Sequence, residues 1–405
     1  MLVVLSLSWL FIAGLGALAL LAFARPSVAG PGAGTERSRI HLLAACWSYG
    51  LCLDYLLMLL TGSTAWTLAA GGVLALAGVA LAVLRRRSFP LPRDRRGWLL
   101  ALLVLALALV TVVMNPLEDW DGRSIWFFHA KMIFFGGGLR PEVGLAAIPV
   151  AQPHYPLLLP GLAAQVGAVV GYWNEYLPKF ALILLMPVPL LALLSLARTP
   201  GTMAVATIGM LAIPEKYLGN GSMDGFLALY GMAAGLFLAD WLEGGGEMAL
   251  LAALGALGVC LGLKQDGQVV ALALALSFLL LRAMGRIKLP AVSRRSLALV
   301  LLPFAGYLAW QVLLRLWGLH NSGFDLHQGW QTEAVALVGP SLAGVIDTAT
   351  DFPGLVLAER VDAEHIERPA RNAGEFLPHH ERSTGLALRD VALHDARRHI
   401  DAQRA

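Results

Sequence analysis

The chain is poor in charge. Only 14% of its 405 residues are Asp, Glu, Lys or Arg, against roughly 25% in an ordinary soluble domain. That shortage excludes a solvated, disordered chain and argues against a single soluble fold. Cysteine is scarce too: Cys46, Cys52 and Cys260 are the whole set, and all three lie inside apolar runs. This placement argues against both a disulfide framework and a zinc site. Charge bias is equally weak, since 30 basic and 27 acidic residues leave a net charge of +3, so no nucleic-acid partner is expected. The first apolar run has no basic region before it and no obvious cleavage site after it. It is expected to be a retained span and not a signal peptide.

Apolar residues are abundant. They make up 58% of the chain, and the mean hydropathy is +0.68. The expectation is an all-α, polytopic membrane protein, because backbone polar groups in lipid must be satisfied within each segment. A span needs about 20 residues, and candidate runs, several of them shorter or weakly bounded, fall near 2–23, 40–60, 64–84, 98–115, 177–197, 201–214, 224–242, 248–264, 267–284 and 296–318. Basic residues in short loops set the orientation. Arg25, Arg37 and Arg39, then Arg85 to Arg96, then Arg198, then Arg282 to Arg295 all fall on one side if these ten spans hold. That side is expected to be cytoplasmic, which puts the loop 115–176 outside. Two apolar stretches in this loop, 124–135 and 155–171, read as helices lying at or dipping into the outer membrane face. Trp120, Trp126, Tyr155, Tyr172 and Trp173 suit that depth. The alternative for 155–171 is one more span, which would invert everything after it. Three regions are expected: N-terminal spans over 1–97, a core over 98–318, and an atypical tail over 319–405. The last fifty residues hold no lysine and five of the ten histidines, and no function is assigned to them.

The chemistry concentrates in the outer loop. Glu118, Asp119 and Asp121 are followed by Arg123, His129 and Lys131. Carboxylates just outside a span can act as a general base or hold a divalent cation, and oxygen ligands suit Mg²⁺ or Mn²⁺. Glu118, Asp119 and Asp121 form the candidate metal set. Alternatively, Asp119 or Asp121 only caps the helix that starts near residue 122. His154 and Tyr155 open the second loop helix, where an imidazole could orient a phosphate or a sugar hydroxyl. Alone, His154 is as well explained as a solvated loop residue, and Lys179 as a snorkelling side chain. Lys264-Gln265-Asp266-Gly267 interrupts a long apolar stretch. An ionisable residue there is a functional candidate, with an ordinary interhelical turn as the alternative. Asp224 opens a span and either caps it or binds substrate. Asp54, inside the second span, is expected to pair locally.

In their order and spacing these elements resemble the C superfamily of glycosyltransferases (GT-C), the multi-span enzymes that take sugars from polyprenyl-phosphate carriers. Protein O-mannosyltransferases and lipid A aminoarabinose transferases are among them. The stretch Trp120-Asp121-Gly122-Arg123-Ser124-Ile125-Trp126 with Lys131 looks like the family's first outer loop. His154-Tyr155-Pro156-Leu157, Asn174-Glu175-Tyr176, Met223-Asp224 and Lys264-Gln265-Asp266-Gly267 look like its later elements. The resemblance covers 98–290. Three expected spans precede the acidic loop where many relatives have one, and residues after 330 do not look like the family's remaining spans.

The resemblance implies an inverting transferase in the bacterial cytoplasmic membrane, with its active site on the outer face. Its donor is a polyprenyl-phosphate-linked sugar, and its acceptor a glycan, lipid or protein. Asp121, or Asp119 beside it, is the implied general base. Lys264, Arg123, His154 and Lys131 are implied to offset charge on the leaving phosphate. His129, Tyr155, Asp224 and Asp266 complete the expected substrate contacts. A multi-span transporter or lipid flippase without transferase activity is the competing expectation. It would carry charged or broken helices near the bilayer midplane.

Overall fold

The structure is a computed structural model that describes residues 2–23, 36–84, 119–140, 152–196, 221–287 and 299–319, with isolated positions at 105–117 and 219. The expected span at 201–214, most of that at 98–115, Glu118 and the chain after 319 lie outside the described residues. The chain divides into units Met1–Leu326 and His327–Ala405, and all described residues belong to the first. The expected boundary at 97/98 falls inside that unit.

Among the described residues all regular structure is helical. The order is α1 (Leu2–Phe23), α2 (Glu36–Thr61), α3 (Thr64–Leu84), a π-helical turn (Gly122–Trp126) running into α4 (Phe127–Gly136), then α5 (Leu158–Val170). A 3₁₀ turn (Leu177–Lys179) leads into α6 (Phe180–Leu185) and α7 (Pro187–Leu196). Then come α8 (Asp224–Leu242), α9 (Glu247–Leu263), α10 (Gly267–Ala283) and α11 (Leu302–Leu316). The apolar stretch Leu177–Ser195 bends at Pro187, which lacks the N–H that would continue the ladder. Four segments are long and apolar enough to cross a membrane: Arg39–Thr61, Thr64–Leu84, Leu177–Ser195 and Asp224–Leu242. The chain is therefore described as membrane-associated.

Lipid gives helices no hydrophobic reason to associate, so close packing and interhelical hydrogen bonds must hold them together. Both are present around α2, which packs on α1, α3, α7, α9 and α11. Trp47 Nε1 donates to Leu184 O at 2.7 Å and Tyr49 Oη to Leu299 O at 2.8 Å. Against α1 the approach is backbone to backbone: a Cβ at Gly16 would collide with the Cys46 carbonyl oxygen. Polar side chains within the bundle pair across it. His41 Nε2 lies 2.9 Å from Asp240 Oδ2, and Gln165 Nε2 donates to Asp54 Oδ2 at 3.0 Å. Asp54 thus pairs with a residue 111 positions away and not locally.

The loop helices pack into the protein. Every residue of α5 from Leu158 to Gly167 is buried. Trp126 is also buried, whereas Trp120 and Tyr172 are 54% and 59% exposed. At 13 residues, α5 spans about 20 Å, short of a hydrocarbon core of about 30 Å. A helix apolar on most sides has to be enclosed, and α4, the 3₁₀ turn and α6 cover most of this one, with α2, α3 and α9 closing the rest. Met58 packs on Gly161, and the Leu157 N–H donates to Tyr55 Oη at 3.3 Å.

The α1–α2 seam leaves no room for a side chain, and carbonyl backbone cannot move aside as a flexible side chain can. Gly16→Leu is expected to cost about 1–3 kcal/mol, the usual range for overpacking. It should lower the thermal midpoint of the detergent-solubilised chain, measured by circular dichroism.

Candidate functional site

Segments far apart in sequence meet at one end of the bundle. Lys264 occupies the short turn between α9 and α10 with an extended backbone, φ −154° and ψ 153°. Its Nζ lies 2.7 Å from Asp224 Oδ1 and 3.1 Å from Asp266 Oδ2. Asp224 stands in the first turn of α8, where the helix dipole favours a carboxylate. Asp266 holds the N-cap position of α10 but makes no side-chain capping bond; its carboxylate is given to Lys264. Burial alone would lower the Lys264 pKa, but the two carboxylates outweigh it and raise the ammonium above its ordinary value.

Tyr155 lies against this turn. Burial and the carboxylates of Asp266, Asp121 and Asp224 raise its phenol above the ordinary value, opposed by Lys264. The phenol is a hydrogen-bond donor at neutral pH. Its ring stacks on Trp126, with centroids 5.4 Å apart and planes 22° apart. Trp126 closes the π-helical turn that Asp121 opens. Asp121 has helical backbone angles and makes no side-chain capping bond, so capping does not account for its carboxylate. Single π turns recur at functional sites. The approach to α8 packs on this turn through Gly221, at φ +92°. A Cβ there would stand 3.0 Å from the Phe127 ring and 3.1 Å from Gly122 Cα. Asp224 and Asp266 thus flank one ammonium, that of Lys264, and Tyr155 lies within electrostatic reach of all three and of Asp121.

The other expected site residues are placed differently. His154 is buried, and its carbonyl accepts hydrogen bonds from Gln265 Nε2 and Trp310 Nε1, both at 3.2 Å. Burial pushes its imidazole down to about 4. It is therefore neutral at pH 7 and supplies no positive charge. His129 is fully buried in α4 and does not face an open site. Lys131 forms an exposed ion pair with Glu175 at 2.7 Å, roughly 15 Å along the helix from Asp121. Exposed pairs of this kind contribute at most about 1 kcal/mol. Asp119 is half-buried and its carbonyl accepts from the Arg123 N–H at 3.1 Å, while Arg123 is exposed. Lys179 is fully buried with its Nζ 5.2 Å from the Tyr176 ring centroid, so it does not snorkel. Among the described residues no group of three or more His, Cys, Asp or Glu side chains is arranged to hold a metal ion.

Sequence reasoning missed Trp310, which with Gln265 fixes the His154 carbonyl. It carries no local signal, since a tryptophan in an apolar helix reads as packing. No protein-family model, curated protein or solved structure matches the chain.

His154 gives a test of the geometry. Its folded pKa of about 4 lies below the unfolded value near 6.5. Between those values the unfolded chain binds the proton and the folded chain does not, so stability is lost as pH falls through that window. Lowering the pH from 7 to 4.5 should therefore lower the thermal midpoint, with His154 contributing on the order of 2–3 kcal/mol. His154→Gln should flatten the dependence over that range. An unchanged slope in the variant would assign the effect to other groups.

Proposed function

We propose that the chain is a membrane glycosyltransferase that moves a sugar from a polyprenyl-phosphate carrier to a hydroxyl acceptor. In this reading it crosses a bacterial cytoplasmic membrane about ten times and works at the outer face. The observation that supports it is the cluster of Lys264 with Asp224 and Asp266, drawn from separate segments at one end of an apolar bundle, beside the Tyr155 ring that stacks on Trp126 of the turn opened by Asp121. A lipid-linked donor is met where such a bundle borders water.

Asp121 removes the proton from the acceptor hydroxyl. The oxygen attacks the anomeric carbon from the face opposite the carrier, and the bond from that carbon to the phosphate oxygen breaks. The electron pair leaves on the lipid phosphate, and the anomeric centre inverts. Lys264 exchanges a carboxylate partner for the phosphate, and the Tyr155 phenol donates a hydrogen bond to it. Donors already fixed where charge develops usually provide the larger share of rate enhancement. Arg123, exposed beside Asp121, is a second cation within the same loop. Asp119, Asp121 and Glu118 remain the residues to which a divalent ion would bind if one is used.

The competing function, transport of a lipid or solute, draws on one observation: the buried pairs His41–Asp240 and Asp54–Gln165 lie within helices of the bundle. Sugar transfer separates the two. Asp121→Asn should reduce transfer from a polyprenyl-phosphate sugar by roughly 10²- to 10⁴-fold, the usual contribution of a general base. Membrane yield should not change. Radiolabelled sugar incorporation in isolated membranes reads this directly, and full activity in the variant removes Asp121 as the base.

Orientation is tested separately. Tyr172 is 59% exposed, and the three native cysteines are buried. Tyr172→Cys should react with a membrane-impermeant maleimide in intact cells. Labelling only after permeabilisation would place the site on the cytoplasmic side.

A further inference from the structure

Lys264 sets one ammonium against two carboxylates, which leaves the cluster with a surplus negative charge. A phosphate is repelled by it until one partner gives way. Lys264 is not free to swing to a new place. Its side chain is 16% exposed, and the next residue, Gln265, is fastened to the His154 carbonyl. The exchange therefore falls to a carboxylate, and both carboxylates border water, at 51% exposure for Asp224 and 60% for Asp266.

The two partners are not equivalent. Asp224 is the closer, at 2.7 Å against 3.1 Å. It has the dipole of α8 in its favour whether or not it touches Lys264, so leaving the lysine gains it nothing. Asp266 has somewhere else to go. It holds the N-cap position of α10 without making a capping bond, although a carboxylate there ordinarily accepts from the N–H groups of the first turn. Those of Gln268 and Val269 close tight turns on the carbonyls of Gln265 and Asp266, at 2.9 and 3.0 Å. N–H groups at helix ends commonly share two acceptors, so the capping place stays open to the Asp266 side chain.

We infer that Asp266 is a displaceable latch on Lys264: it yields to the phosphate of a polyprenyl-phosphate lipid, turns to cap α10, and on its return drives that phosphate out. The ligand rests on the transferase reading above, and the latch on the three side chains themselves. A donor phosphodiester carries a single negative charge, whereas the lipid phosphate left after transfer carries about 1.5 to 2 near neutral pH. Lys264 thus holds the product more tightly than the donor, and a carboxylate waiting beside the ammonium shortens the product's stay. Product release limits turnover in many enzymes.

The full chain in detergent, treated with a water-soluble carbodiimide, should form Lys264–Asp224 and Lys264–Asp266 cross-links, with the exposed pair Lys131–Glu175 as internal reference. Polyprenyl phosphate should suppress the Lys264–Asp266 link several-fold against that reference and leave Lys264–Asp224 in place. Inorganic phosphate at the same concentration should suppress neither. This measurement needs no variant. Asp266→Asn keeps a capping side chain and loses the charge. It should bind polyprenyl phosphate roughly tenfold more tightly in native mass spectrometry titrations, the factor carried by one charge-assisted hydrogen bond. Loss of the Asp224 link instead, or equal suppression by inorganic phosphate, overturns the assignment. Binding that Asp266→Asn does not tighten overturns the latch and leaves the transferase reading standing. Absence of binding by both proteins overturns the two together.

Discussion

Inside an apolar helix bundle there is no water to satisfy a polar group, so one carried inward is costly unless another part of the chain matches it. That constraint joins elements that are remote in sequence. His41 near the start of α2 meets Asp240 near the end of α8, and Asp54 meets Gln165 of α5. Trp47 and Tyr49, on successive parts of α2, donate to the carbonyls of Leu184 and Leu299. These bonds fix which helix end lies beside which. The His41–Asp240 contact sets the start of α2 beside the end of α8.

The electrostatics around Lys264 follow from the same constraint. Lys264 is mostly shielded from solvent and needs anionic partners, which Asp224 and Asp266 provide. The consequence for chemistry is specific. An ammonium already held by two carboxylates offers less free charge to an incoming phosphate than an isolated lysine would. In the proposed transferase, a donor phosphate displaces one of these partners. His154 contributes geometry and not charge, because burial keeps it neutral while two donors from other helices grip its carbonyl.

Much of the fold was legible in the residues. Expected limits of 2–23, 64–84 and 224–242 coincide with α1, α3 and α8, because long apolar runs between polar or glycine-rich breaks leave little choice of helix ends. Asp121, Tyr155, Asp224, Lys264 and Asp266 were also identifiable as polar interruptions beside such runs, and of these Lys264 pairs with Asp224 and Asp266. Other features had no local signature. The enclosure of α5 by its neighbours is one; an apolar segment has the same composition whether lipid or protein surrounds it. His129 and Lys179 read as available polar groups, yet both are fully buried.

Hydropathy and periodicity by themselves determined that this chain forms apolar helices, where most of them begin and end, and which polar side chains interrupt them. Those properties depend on neighbours a few residues apart. Only the tertiary structure decided that the Asp121 carboxylate is not a cap, that Lys264 is shared by Asp224 and Asp266, and that Trp310 and Gln265 hold the backbone of His154. Each of these rests on an approach of a few ångströms between residues tens to hundreds of positions apart, and helix packing sets that distance.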